Sequence, residues 1–335
     1  MASSLDAEQL RMISRVARLY YSQSLRQTQI AKLLKISQAR VSRLLAAADD
    51  LGIVKTIVFT PRGIHSELES TLEIGYDLLQ VHIVDNGLGA TSEPWDDLGR
   101  AVASTLEAMP LEDKNIGFTA WSRSLRAMAK IYPRASKSSS GYVIELLGDV
   151  GSPTIQHEAT LATELFSRAT GSSTVFLRLP SVVSSAGLAE SLVSNDRHAA
   201  EALQLMSKLD IALVGIGSCD IASPQYTGAN FFSADQLATP ISMGAVGQIN
   251  LRFIDKDGAP VVTDLDPLVI GITLDQLAQA PIRVGVAAGI DKRSAVRAAV
   301  LGGWINVLVT DLATAQFLAT EMKQKKSVAK LTSVG

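Results

Sequence analysis

From residue 80 onward the chain repeats one pattern: an apolar run of about five or six residues, a loop, then a stretch with helical spacing. Runs near 81–85, 115–118, 142–147, 174–178, 210–216, 249–254, 267–272, 282–287 and 304–309 read as strands. Helical spacing predicts helices near 95–109, 121–131, 156–170, 196–208, 291–302 and 311–322. Strands alternating with helices predict an α/β body around a mostly parallel sheet, because parallel neighbours need a crossover and a helix is the usual one. One segment breaks the pattern. Within 249–272, the stretch INLRFIDKDGAPV carries Asp257-Gly258 between strand-like residues and predicts a hairpin insertion.

The first 60 residues follow a different rule. In 26–52, RQTQIAKLLKISQARVSRLLAAADDLG, Ile30, Ala31, Leu33 and Leu34 give one apolar face. Val41, Leu44, Leu45 and Ala48 give a second, with Lys35-Ile36-Ser37 between. Helices this short need a third to pack on. Residues 6–23 supply it through Leu10, Ile13, Val16, Ala17 and Tyr20. Ser37 is a good N-cap for the second helix, placing Gln38, Arg40, Ser42 and Arg43 on the part that a helix-turn-helix presents to the major groove. Arg bridges guanine O6 and N7, and Gln bridges adenine N6 and N7. Thr28 and Gln29, at the start of the preceding helix, suit phosphate contacts that set register.

Charge divides the chain in the same place. Residues 1–55 hold nine Lys or Arg against four Asp or Glu, about +5, leaving about −7 on the other 280 residues. The pI near 6.1 therefore conceals a basic head on an acidic body, and the head is the part suited to a polyanion. At 335 residues and 47% hydrophobic content, two domains with a sizeable core are expected. We expect a DNA-binding domain over 1–60, closed by a strand or small wing at 53–59, a connecting helix over 61–79, a ligand-binding and oligomerisation domain over 80–322, and a frayed Lys-rich tail over 323–335. No apolar run reaches the ~18 residues of a membrane span and no signal core opens the chain, so a cytoplasmic protein is expected. The single cysteine, Cys219, excludes an internal disulfide framework, and no metal or cofactor site is expected.

Chemistry is expected at the strand ends, since ligands of parallel sheets bind outside the carboxyl edge. Three loops there combine small residues, hydroxyls, helix starts and cations: Gly117, Thr119, Trp121, Ser122, Arg123 and Ser124; then Gly215 and Gly217; then Gly289 with Lys292. Glycine lets a backbone approach a ligand, a helix start suits phosphate, and Arg123 and Lys292 supply countercharge.

Head and body together resemble the SorC family of bacterial transcriptional regulators, also called regulators with a DeoR-type sugar-binding domain. The resemblance covers nearly the whole chain. It is carried by TQIAKLLKISQARVSRLLAAADDLGIV in the head, and in the body by IGFTAWSRSL, DIALVGIGS, GAVGQINLRFIDKDGAPV and VGVAAGIDKRSAVRAAVLGGWINVLVTD. It implies a Rossmann-like domain similar to sugar-phosphate isomerases and deaminases, a sugar-phosphate effector, and a tetramer on operator DNA. It further implies phosphate held by residues 117–124 and Lys292, with Gln248 near the sugar hydroxyls. A free sugar or polyol is the alternative effector.

Asp149, in the loop after the strand at 142, suits either a sugar hydroxyl or a turn. Arg178 suits a place facing the site or a surface ion pair, His82 and His157 structural roles, and Asp291 the cap of helix 292–302. Trp121 and Tyr226 suit stacking on a sugar or a place in the core. A different class of reading is an isomerase or deaminase with an added DNA-binding head. It needs a paired acid and base, and neither Asp149 nor Asp264 has a partner in the sequence. No catalytic residue is therefore assigned.

Overall fold

In the computed structural model the head is built from α1 (Ala7–Ala17), α2 (Gln27–Leu34) and α3 (Gln38–Asp50). The structure describes residues 7–54, 64–85, 94–135, 138–219 and 230–332. The chain divides into two compact units, Met1–Pro61 and Arg62–Gly335. In the head, Ile13, Val16, Ala17, Ile30, Val41, Leu45 and Ala48 form the buried centre. Leu10, Leu33 and Tyr20, expected in it, are exposed. Tyr20 is displaced because α1 passes into a π-helical turn at Arg18–Ser22, which brings Leu19 into the core instead. Residues 55–59 of the expected wing lie outside the described residues.

The connecting segment is α4 (Ser66–Tyr76). The body continues with β1 (Gln80–Val84), α5 (Pro94–Glu107), β2 (Ile116–Phe118), α6 (Arg123–Ile131), β3 (Tyr142–Glu145) and α7 (Pro153–Thr170). Next come β4 (Ser173–Val175), α8 (Ala186–Asn195), α9 (Arg197–Leu205), β5 (Ile211–Ser218), α10 (Ala234–Ser242), β6 (Ala245–Ile249) and β7 (Arg252–Asp255). The chain ends with α11 (Leu274–Gln279), β8 (Ile282–Val286), α12 (Arg293–Leu301), β9 (Val307–Asp311) and α13 (Leu312–Thr332). The last helix thus runs through residues expected to be a frayed tail.

Seven strands lie in the order β1-β9-β8-β5-β2-β3-β4, all parallel, as the alternation predicts. Along β5, Ala212 and Val214 enter one buried layer while Ile211 and Leu213 enter the other, so both faces of the sheet are covered. At the edge strand β1, the N–H groups of Val81 and Ile83 donate to Glu73 Oε1 and Glu69 Oε1 of α4, each at 2.9 Å. The helix thereby satisfies backbone donors that an edge leaves unpaired.

Two strand expectations are corrected. The run at 249–254 is not one strand but the turn of the antiparallel hairpin β6–β7, with Asn250 at φ 48° and Leu251 at φ 63°. Asp257-Gly258 makes a further turn beyond it, where the Gly258 N–H donates to the Asp255 carbonyl at 3.0 Å. The run at 267–272 is a 3-10 turn at Asp266–Leu268 followed by isolated bridges, Val182 to Val269 and Leu147 to Gly271. Its carbonyls are held by a side chain: the buried Arg252 guanidinium donates to Asp266, Val269 and Ile272 carbonyls at 2.7, 3.3 and 3.2 Å.

Candidate functional site

The head presents its polar residues where the spacing placed them. Ser37 is the N-cap of α3, its Oγ accepting the Arg40 N–H at 3.2 Å. Lys35, left-handed at φ 54°, closes α2 and reverses the chain. Gln38, Arg40, Ser42 and Arg43 are all exposed on α3, opposite buried Val41 and Leu45. Thr28 and Gln29 are exposed in the first turn of α2, and Gln29 Oε1 accepts the Arg26 N–H at 2.8 Å. That leaves the Gln29 amide N–H groups for an acceptor such as phosphate.

In the body, a cavity of about 600 Å³ opens across the carboxyl ends of five adjacent strands. β1 contributes Asp85, β9 Asp311, β8 Ala287 to Gly289, β5 Gly215 and Gly217, and β2 Thr119 and Trp121 to Ser124. The sheet order explains the location. After β2 the chain proceeds to β3 on one side, whereas after β5 the next parallel strand, reached through the β6–β7 hairpin, is β8 on the other, so their loops part and leave a crevice. Gly215 brings the β5 backbone close to α6: a Cβ there would stand 3.2 Å from Ser122 Oγ, a contact that Ser122 would have to yield to by a few tenths of an ångström.

Ser122, Arg123 and Ser124 open α6 toward the cavity, and Ser122 makes no side-chain cap bond. Arg123 stacks 4.4 Å from the Trp95 ring centre. Lys292 also lines the cavity and is partly buried; burial holds its ammonium below the usual lysine range, opposed by Asp291 and reinforced by Arg123. Two cations facing one cavity, one of them desolvated, make a place where an anion is favoured. Gly289, at φ 109°, donates its N–H to Asp311 Oδ2 at 2.6 Å, and Asp311 Oδ1 accepts the Thr314 N–H at 2.5 Å. Trp121 lines the cavity with its indole Nε1 buried and unpartnered among the described residues.

Of the residues expected at the site, Thr119, Trp121, Ser122, Arg123, Ser124, Gly215, Gly217, Gly289 and Lys292 line this cavity. Three do not. Gly117 is buried in β2, where a Cβ would strike Leu146 and Leu209. Asp149 is engaged by Arg178 at 2.7 Å, and Arg178 also binds buried Glu145 at 2.8 Å. Gln248 is buried in β6, its Oε1 accepting the Leu251 N–H at 2.8 Å. Asp291 lies in a 3-10 turn rather than capping α12, whose N-cap is Lys292. Tyr226 lies outside the described residues. Cys219 has its thiol pushed up to about 11 by burial, so it is no thiolate near neutral pH. Sequence reading missed Asp85, Trp95, Asp311 and Gln316.

A helix-turn-helix head with an exposed polar recognition face, carried on an α/β body with a small-molecule cavity, is the architecture of a ligand-responsive transcription factor. Residues 63–320 match the family described as "Putative sugar-binding domain". The deoxyribonucleoside regulator of Bacillus subtilis (strain 168) is 28% identical over 319 residues, spanning 95% of this chain and 100% of the relative. The transcriptional regulator LsrR of Escherichia coli O139:H28 is 31% identical over 309 residues, spanning 90% and 92%. The crystal structure of the full-length sorbitol operon regulator SorC from Klebsiella pneumoniae superposes with a TM-score of 0.70 at 26% identity, covering 94% of this chain and 100% of that one. The chain belongs to the SorC family of transcriptional regulators, with a helical head and a sugar-binding α/β domain. No helix among its described residues is long and apolar enough to cross a membrane.

Proposed function

We propose that this protein is a cytoplasmic regulator of a carbohydrate-utilisation operon, bound to operator DNA through α3 and controlled by a phosphorylated sugar or polyol in the sheet-edge cavity. The observation that carries the effector reading is the convergence of Arg123, Lys292 and the start of α6 on one cavity whose far side holds Asp85 and Asp311. The cationic side suits a phosphate and the carboxylates suit hydroxyls. We read the cavity as binding rather than catalytic. Asp311 is engaged by two backbone N–H groups, and Asp85 accepts from His65 through one oxygen, which leaves its other lone pairs for ligand hydroxyls.

The proposed assembly is a homo-oligomer, a tetramer on the family resemblance, because paired heads are needed to read half-sites ~34 Å apart or a multiple of that. A ligand-driven change in subunit packing would then alter operator affinity 5- to 150-fold, the ordinary range of about 1–3 kcal/mol for allosteric coupling.

The test is a thermal-shift screen of the full chain against glucose 6-phosphate, ribose 5-phosphate, sorbitol 6-phosphate and their unphosphorylated counterparts. A phosphorylated member at about 100 times its Kd is expected to stabilise the protein by ~2.7 kcal/mol. Stabilisation by free sugars or polyols alone would transfer the assignment to a neutral effector, and turnover of any member would revive the enzyme reading. For the head, Arg40→Ala is expected to weaken binding to a duplex selected from a random library by about 1–3 kcal/mol, with a smaller loss on unselected DNA. Equal losses on both, measured by fluorescence anisotropy, would assign Arg40 to phosphate.

A further inference from the structure

We infer that Asp85, oriented by His65, is a ligand-contacting residue of the cavity and the point where ligand occupancy is passed to the connecting helix α4. The inference rests on the effector reading of the cavity given above.

The geometry is a ladder of three side chains. His65, Glu69 and Glu73 stand four residues apart, one above another on the same side of a helix. Each grips the edge strand two residues further along: His65 Nε2 donates to Asp85 Oδ2 at 3.1 Å, Glu69 accepts from Ile83 N–H, and Glu73 accepts from Val81 N–H. The lower two rungs bind backbone and are fixed by the strand. The top rung is different in kind, because it joins two side chains, and one of them lines the cavity.

Asp85 is the C-terminal neighbour of β1, and its side chain is 33% exposed against 25% for His65, so the pair is reachable yet held. A carboxylate offers about four lone-pair sites, and the imidazole takes one. The remaining capacity on Asp85 suits a ligand hydroxyl, while a phosphate on the same ligand is held by Arg123 and Lys292. A hydroxyl donating to Asp85 restricts the side-chain torsions of the carboxylate, which holds Oδ2 in place for His65 and so orders the rung. His65 is the N-cap position of α4 and lies four residues beyond Pro61, where the head unit ends. The covalent path to the head therefore passes through the turn that this rung orders.

Two readings test this on the full chain, with the three sugar phosphates named above as probes. Ligand affinity is measured by titration calorimetry, and backbone protection of residues 64–70 by hydrogen exchange with and without ligand. Asp85→Asn is expected to weaken a bound probe about tenfold or more, as for loss of a charged acceptor. His65→Ala is expected to change affinity less and to abolish the ligand-induced protection of residues 64–70. His65→Gln, which keeps an N–H donor, should restore part of that protection, which a merely structural role for the ring would not predict. A probe that binds through Lys292 yet leaves residues 64–70 unprotected and is indifferent to Asp85→Asn overturns the inference while sparing the cavity assignment. Failure of every probe to bind overturns the cavity assignment, and this inference with it.

Discussion

Arg252→Ala is expected to destabilise the body by about 3–5 kcal/mol, the range for removing one member of a buried charged network. The side chain is 9% exposed, so its cation is held almost wholly out of water. Burial lowers its pKa, with Asp266 opposing the shift from 3.5 Å. What makes the burial tolerable is donation to three main-chain carbonyls, those of Asp266, Val269 and Ile272. Alanine would strand those of Val269 and Ile272, while the Asp266 carbonyl keeps the Val269 N–H at 3.3 Å, and each unsatisfied buried acceptor costs about 1–3 kcal/mol. Lysine is not expected to rescue, because a point charge cannot reproduce a planar fork of five donors. The check is the denaturant midpoint of the body's transition for wild type, Arg252→Ala and Arg252→Lys. A loss under about 1 kcal/mol for alanine would mean that water replaces the guanidinium and that the segment 263–272 is held by its apolar contacts alone.

The same residue explains where the sequence misled. Residues 267–272 have the apolar content of a buried strand, and Val269, Ile270 and Ile272 are indeed buried. Burial alone does not make a strand, however. Their carbonyls bond to a side chain and to two isolated bridges instead of to a ladder, and no local pattern announces a partner 14 to 20 residues away. The central sheet was legible because its strands are short apolar runs covered on both faces. The tight turn at Asn250-Leu251 was not, since a left-handed leucine is uncommon; Leu251 adopts it while 1% exposed, with Gln248 bonded to its N–H. Helices α10 and α11 were missed although each opens with a capping box, Ser233 with Gln236 and Thr273 with Gln276.

Loops after β2, β5 and β8 were found from their Gly, Ser and cationic residues. Asp85 and Asp311 follow β1 and β9 by the same edge rule, but a lone Asp after a strand carries no compositional signal. Asp149 lies apart from the cavity lining for a converse reason. It does end a sheet-edge loop, yet Arg178 reaches it from beyond β4, a pairing that only the fold creates.

Lys292→Met is expected to do two opposite things. Binding of a phosphorylated effector should weaken by ~2–5 kcal/mol, the loss seen when one partner of a desolvated charge pair is truncated. The ligand-free protein should melt at a higher temperature. Burial lowers the Lys292 pKa, and nearby Arg123 lowers it further against the pull of Asp291. The folded state therefore holds this proton less tightly than the unfolded chain does. Below the lowered pKa the ammonium is charged in both states and its full destabilising contribution is present. As pH rises through that lowered value toward the ordinary 10.5, the folded lysine releases its proton first and the contribution disappears. Wild type should thus gain on Lys292→Met as alkaline pH is approached, and the stability gap between the two should close. Paired thermal melts over that range, with and without effector, separate the causes. A variant that binds effector weakly but melts below wild type at neutral pH would make Lys292 a packing residue, whereas the crossed result requires a cation kept partly dry for an anion to neutralise.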